Sequence, residues 1–474
     1  MIDKLEGSLI GKRIIGYMPT YGIYSEWHYY GMANDMPDTG IPMQHAFSQY
    51  LKDKYKTDKA LQTAWKDKTV TLDNARIPSA EARLARKNGE IFKNGTDCRV
   101  LDFDDCMALS VNRCQDFFNA RAKSSAGRPV LVGNYSGYFF GMQYPAVGWQ
   151  TRTPEMLNSK SMDFQVSPIP YALRKSGDSA MPRGVFDSYP FHGKVPIMEA
   201  DTRTHLSVSS AGASSTCMKD TIGQLTREFC NAFTHGAAIW YYDFNLGWYD
   251  HPEYLNLFTK LLDIWKRDDI DVTRVSEVAV VCDFDSVPYH TSESNMNGNF
   301  FTYCLISRNT NELNFIGAPN DTILMEDLIS DQAPKYKFYL FLNLVHITSE
   351  KEAAVRRLLS RGAKALFLCS PDLKGKLPTG AIFSSTPFVK RDELRTLASS
   401  AGVHIYCDDP DSLVFASRGF VGVHRKSAGT VTLELPRKAK SIQRVLPENS
   451  QMPPGNRIVF QHQEFDTDLF KVTY

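Results

Sequence analysis

The chain has 474 residues, enough for two or three domains with large cores, and its formal net charge of +1 offers no basic footprint for nucleic acid and no acidic tail. Its nine cysteines contain no CxxC pair, and Cys98, Cys106 and Cys114 are spaced by eight, unlike any zinc ligand set, so no metal is expected. No apolar run is long enough to span a bilayer, and residues 1–7 lack the basic and apolar regions of a secretory signal. The expectation is a soluble protein, cytoplasmic by default and secreted if a leader is missing, with no nucleic acid or membrane partner.

Residues 2–10 read as the tail of a helix. A strand follows at 14–17 and runs on into an aromatic-rich stretch, 18–31. There Glu26 lies among Tyr21, Tyr24, Trp27, Tyr29 and Tyr30. A carboxyl group beside aromatic faces has its charged form disfavoured, which raises its pKa toward that of a general acid. The plain alternative is an exposed glutamate in an aromatic loop. Met43, Phe47, Tyr50, Leu51, Tyr55, Leu61 and Trp65 recur at helical spacing, so 41–66 is expected to be one long helical stretch burying that face. Residues 67–98 are polar and turn-rich. A helix over 101–122 leads to a strand at 129–134. A loop carrying Trp149, a helix near 154–158 and a strand at 162–167 follow, then Tyr171 and Arg174.

The segment 195–206 is the most informative. Val195, Pro196, Ile197 and Met198 read as a short buried strand that ends abruptly in Glu199, Asp201, Arg203 and His205. In a parallel α/β barrel the strand interior is packed and its C-terminal mouth carries the chemistry. A Ser/Gly-rich loop at 207–215, a helix over 221–234 stopped by His235 and Gly236, and a strand at 237–242 ending at Asp243 complete one βαβ unit. The plain alternative for Glu199 is a surface carboxylate paired with Arg203. Five strands, near 14, 130, 163, 196 and 238, fall short of a closed eight-stranded barrel.

A composition shift at 267–271 marks a boundary. Beyond it, strands at 277–282, 338–343 and 365–369 alternate with helices at 351–360 and 391–400, and 403–406 closes the last αβ unit. This is a smaller doubly wound domain, without GxGxxG or P-loop, so it carries no expected nucleotide or other cofactor. From about residue 415 the pattern changes to short β runs at 421–424, 430–435, 458–460 and 469–472, a small antiparallel sandwich. The expected divisions are 1–268, 272–414 and 415–474.

This order of partial barrel, flavodoxin-like middle domain and small β domain resembles the family 42-type β-galactosidases of clan A of the retaining glycoside hydrolases. Ile14-Ile-Gly-Tyr17 with Ser25-Glu26-Trp27 is similar to the fourth barrel strand, which in that clan bears the acid/base. The block from Val195 to Leu206 is similar to the seventh, which bears the nucleophile. Residues 43–65 look like the helical insertion after strand four, and 277–410 resemble the trimerisation domain. The five strands would then be strands four to eight, with one to three absent. Either the sequence is a fragment, or a truncated barrel borrows a surface from a partner. Ser25 stands where the clan usually has the Asn that holds the sugar 2-hydroxyl.

The resemblance implies a retaining β-glycosidase without cofactor, acting on an oligosaccharide or glycoside and self-associating as a trimer. Such an enzyme needs two carboxyl groups about 5 Å apart, one protonated and one ionised. The expected nucleophile is Glu199, held ionised by Arg203. The expected acid/base is Glu26, kept protonated by its aromatic shell. Ser25, Trp27, Tyr171, Arg203 and Trp240 are the expected substrate contacts, although Tyr171 and Trp240 serve equally well as core aromatics. Asp201 is the rival to Glu199 or the partner of Arg203. The alternative function is a non-catalytic carbohydrate-binding remnant or a fragment of a longer glycosidase.

Overall fold

The computed structural model describes residues 1–31, 36–84, 98–140, 149–207, 215–244, 247–290 and 305–474. Most of the Ser/Gly-rich loop at 207–215 and part of the turn-rich 67–98 stretch lie outside them. Among the described residues no helix is long and apolar enough to cross a membrane.

The first sheet has five parallel strands that follow one another in chain order: β1 (Gly16–Tyr17), β2 (Leu131–Tyr135), β3 (Phe164–Pro168), β4 (Val195–Ala200) and β5 (Ala238–Tyr241). Sequential parallel neighbours joined by helical crossovers are the wiring of a (β/α) barrel, here as an open partial one. Each of its central strands is buried on both faces, which is why β3 reads as an unbroken buried run. The helix Met218–Thr234 connects β4 to β5; the Asp220 carboxylate accepts from the Thr216 N–H at 2.8 Å near its start, and Gly236, at φ +65°, turns the chain out of it.

The second sheet is also parallel: β6 (Val278–Cys282), β7 (Asn320–Leu324), β8 (Phe338–Phe341), β9 (Lys364–Phe367) and β10 (Ala381–Phe383), in spatial order β7-β6-β8-β9-β10. That is the flavodoxin-like order. The C-terminal segment is antiparallel. One sheet runs β11 (Leu413–Ala416), β12 (Phe420–His424), β17 (Thr467–Thr473), β14 (Ser441–Leu446), β15 (Ser450–Met452). A second pairs β13 (Gly429–Ala439) with β16 (Gly455–His462). The α/β class, with a partial barrel, a doubly wound sheet and a terminal β-sandwich, is therefore the observed architecture.

Local details differ from the sequence reading. The 41–66 stretch is two helices, Ile41–Tyr55 and Asp58–Trp65. Lys56 turns left-handed at φ +63°, and the Thr57 hydroxyl accepts the Ala60 N–H at 3.3 Å to cap the second helix. Residues 403–406 do not join the second sheet. They run beside the sandwich, with the Tyr406 N–H donating to the Gly317 carbonyl at 2.8 Å and the Tyr406 carbonyl accepting from the Glu434 N–H at 2.8 Å. The unforeseen strands of the second sheet are β7, which opens on the polar pair Asn320 and Asp321, and β10, whose apolar run is only three residues long.

The three parts share their cores. Phe139, Phe140, Ile169 and Met198 from the barrel side pack in one cluster with Val278, Val280, Leu324, Phe338 and Leu340. Phe229 and Phe233 pack with Phe415 and Phe420 of the sandwich. Asp187, fully buried, fastens barrel to doubly wound sheet: its carboxylate takes the Thr322 N–H at 2.7 Å, His235 Nδ1 at 2.9 Å and an ion pair with Arg274, which also pairs with Asp321. A Cβ at Gly223 would stand 1.8 Å from the Phe465 carbonyl oxygen, so helix and sandwich approach as closely as only glycine permits.

Candidate active site

The strand period builds the site. Ile197 of β4 faces Tyr135, Tyr138, Phe164, Val166 and Trp240, whereas Met198 faces the opposite core. Alternation then returns Glu199 to the face of Ile197, at the C-terminal end of the strand, opposite Trp240 in register. Trp240 Nε1 donates to Glu199 Oε2 at 3.1 Å, and the Tyr135 hydroxyl, at the end of β2, donates to the same oxygen. Oε1 takes no hydrogen bond among the described residues.

Glu199 is 5% exposed. Burial pushes its carboxyl up to about 7; the donors Tyr135 and Trp240 pull the other way, and the negative charges of Asp201 and Glu26 add to the rise. Arg203 does not hold it ionised. That guanidinium turns instead to Asp201, at 3.4 Å, and Asp201 is also paired with Arg174 at 2.9 Å. The expected Glu199–Arg203 ion pair is thus replaced by two neutral donors, because Arg203 lies two residues past the carboxylate that it meets.

Glu26 follows β1 in a tight turn closed by a bridge between Ile23 and His28. Tyr24, Ser25 and Trp27 all take positive φ, 59°, 65° and 64°, a conformation costing non-glycine residues roughly 1–2 kcal/mol each. The turn is tied down at Pro19, whose carbonyl accepts from Trp27 Nε1 at 3.2 Å and from Asn134 Nδ2 at 3.0 Å. Glu26 Oε2 lies 3.1 Å from His28 Nε2. The expected aromatic shell is not formed: Tyr21, Tyr24 and Tyr30 are exposed, and the Tyr29 hydroxyl turns away to the Met107 carbonyl at 3.0 Å. The negative charge of Glu26 nonetheless adds to the upward shifts of Glu199, Tyr135 and Tyr138.

Of the other expected contacts, Ser25 is exposed in the Glu26 turn, and Trp240 is half-buried with its N–H directed at Glu199. Trp27 is buried at 4% exposure against Val111 and Phe118. Tyr171 is 47% exposed, past the end of β3. Tyr135, His28 and Arg183 were not among the expected site residues. Tyr135 carried a signal like that of Glu199, a polar function at the C-terminal end of a barrel strand.

No family model matches the sequence, and no curated protein matches it. Solved structures do. A β-galactosidase from the Antarctic haloarchaeon Halorubrum lacusprofundi superposes with a TM-score of 0.66 at 12% identity, over 99% of this chain and 81% of that one. One from Bacillus circulans sp. alkalophilus gives 0.64 at 12%, over 100% and 80%. One from the psychrophilic Marinomonas ef1 gives 0.61 at 13%, over 93% and 78%. At these identities the likeness is one of fold: the chain has the fold of the family 42 β-galactosidases across nearly its whole length.

Proposed function

We propose that the chain is a retaining β-glycosidase that hydrolyses glycosidic bonds by double displacement, with Glu199 as nucleophile and Glu26 as acid/base. The observation that carries this reading is the setting of Glu199: a buried carboxylate at a strand end, fixed at one oxygen by two donors, with a second carboxylate within electrostatic reach. The likeness in fold to β-galactosidases supports the same class of substrate.

In the first step Glu199 Oε1 attacks the anomeric carbon, the glycosidic C–O bond breaks, and Glu26 gives its proton to the leaving oxygen. In the second, Glu26 takes a proton from water, whose oxygen displaces Glu199 and releases the sugar. Tyr135 and Trp240 hold the carboxylate so that one oxygen is presented and the other restrained, the positioning that converts binding into rate.

The test is hydrolysis of a panel of aryl β-glycosides by the wild type, Glu199→Gln and Glu26→Gln. Turnover by the wild type that Glu199→Gln abolishes, with azide restoring turnover to Glu26→Gln by replacing the water that needs a base, is the expected result. Retention of activity in Glu199→Gln removes it as nucleophile. Sugar binding without turnover by the wild type leaves the non-catalytic carbohydrate binder as the reading.

A further inference from the structure

The half-exposed ring of Tyr171 stands among three guanidinium groups: Arg174 at 4.4 Å from its centroid, Arg203 at 5.0 Å and Arg183 at 5.2 Å. They are balanced unequally. Arg174 is sealed from solvent, donates to the carbonyls of Ile169 and Pro170, and pairs with Asp201 at 2.9 Å. Arg203 reaches that same carboxylate only at 3.4 Å and leaves its buried Nε without an acceptor among the described residues. Arg183 is 5% exposed, its Nε is buried and unmet, and its guanidinium makes no hydrogen bond or ion pair among the described residues.

Among the described residues, then, one carboxylate serves two of the three cations in ion pairs, and Arg183 has no acidic partner. Arginine cannot relieve this by losing a proton, and a buried charge without a partner is strongly unfavourable. Stacking over Tyr171, and of Arg183 over Tyr138 at 5.5 Å, offsets only part of the penalty. Nor is the Arg183 side chain placed by chance. Its backbone is pinned between the end of β3 and the strand-end segment after β2, with N–H to the Pro168 carbonyl at 3.3 Å and carbonyl to the Phe140 N–H at 2.7 Å. Tyr138, which it covers, is the ring whose hydroxyl senses both Glu26 and Glu199. A planar guanidinium with vacant donors at the mouth of a glycosidase-type site matches an oxyanion in two-point contact.

We propose that Arg183 and Arg203, packed on Tyr171, form a subsite for an oxyanion on the sugar, a carboxylate or a sulfate ester, so that the substrate is an acidic glycoside, not a neutral one. This rests on the reading of the cleft as a glycosidase site. The test uses the full chain and three probes, the 4-nitrophenyl β-glycosides of galactose, galactose 6-sulfate and galacturonic acid. Turnover is measured on all three, and binding of the corresponding free sugars is measured by thermal shift. One of the acidic probes should exceed the neutral one by about ten- to a hundredfold in kcat/KM, the weight of one charge-assisted contact. Arg183→Gln should collapse that ratio, and added salt should narrow it.

Which acidic probe leads identifies carboxylate or sulfate as the group recognised. Equal or better handling of the neutral galactoside overturns the subsite and leaves the glycosidase reading standing. Selective binding of an acidic sugar without turnover of any probe sustains the subsite and overturns the hydrolytic reading. Neither binding nor turnover overturns both. The wild-type ranking decides even if Arg183→Gln fails to fold, and Arg203→Gln supplies a second variant in which the ratio falls.

Discussion

Tyr135 and Glu199 meet across an intervening strand. The tyrosine ends β2, the glutamate sits at the end of β4, and the hydroxyl spans the mouth of β3 to reach Oε2. The bond favours the ionised carboxylate, since Tyr135 donates and itself stays protonated: burial and the Glu199 charge push its phenol far up. Tyr135→Phe removes a donor from a buried carboxyl, so the Glu199 pKa should rise above about 7 and kcat/KM at neutral pH should fall about ten- to a hundredfold. The check is a pH profile of the variant against the wild type, with the acidic limb displaced upward. An unmoved limb would show that the bond does not govern this carboxyl.

The wild-type profile itself separates the two roles. A nucleophile must be ionised, so with Glu199 in that role activity falls as pH drops below about 7. If Glu199 were the proton donor, the same ionisation would appear as the alkaline limb, with activity falling as pH rises. Measurement of kcat/KM from pH 4 to 10 distinguishes these outcomes by sign alone.

Glu199 also bears on stability. Its folded pKa lies above the ordinary carboxyl value of 4.5, at about 7, so the native state holds the proton more tightly than the unfolded chain. Its contribution is most favourable below pH 4.5 and is lost as pH rises through about 7. The distance between the two values corresponds to about 3 kcal/mol. Glu199→Gln keeps an acceptor oxygen for Tyr135 and Trp240 without the charge. Relative to wild type, it should gain about that much stability between pH 4 and pH 8, as read by urea denaturation at both.

Gly223→Ala places a methyl group against the Phe465 carbonyl, which cannot swing aside as a side chain would. The loop at Phe465 is tied to the same helix by the Thr467 hydroxyl, which donates to the Gly223 carbonyl at 3.0 Å. The variant should lose about 1–3 kcal/mol in denaturant unfolding, the usual range for overpacking a close contact. No loss would mean that the sandwich slides to accept the methyl.

Much of this was legible in the chain. The apolar run before Glu199 and the order of strands and helices carried the partial barrel, and strand alternation put the carboxylate at its mouth. The partners of Glu199 were harder to read. Tyr135 lies one residue past the strand expected at 129–134, and Arg203 looked like the natural counter-ion until the backbone turned it to Asp201. Arg183 lies in a loop whose neighbours, Tyr138 and Tyr171, are set by strand ends distant in sequence, so no local pattern announces it. Strand β7 hid because its polar residues are neutralised by groups far along the chain: Arg274 pairs with Asp321.

The buried carboxylate of Asp187 has a consequence for how the molecule melts. It ties the loop before β4 to the backbone of β7, and the outer face of the barrel strands and the doubly wound sheet draw on one apolar cluster. Neither part can come apart without exposing the other's interior and leaving Arg274 beside an emptied site. Heating should therefore produce a single calorimetric endotherm in place of separate barrel and flavodoxin-like transitions. Asp187→Asn, which discharges the clasp but keeps its shape, should split that endotherm in two.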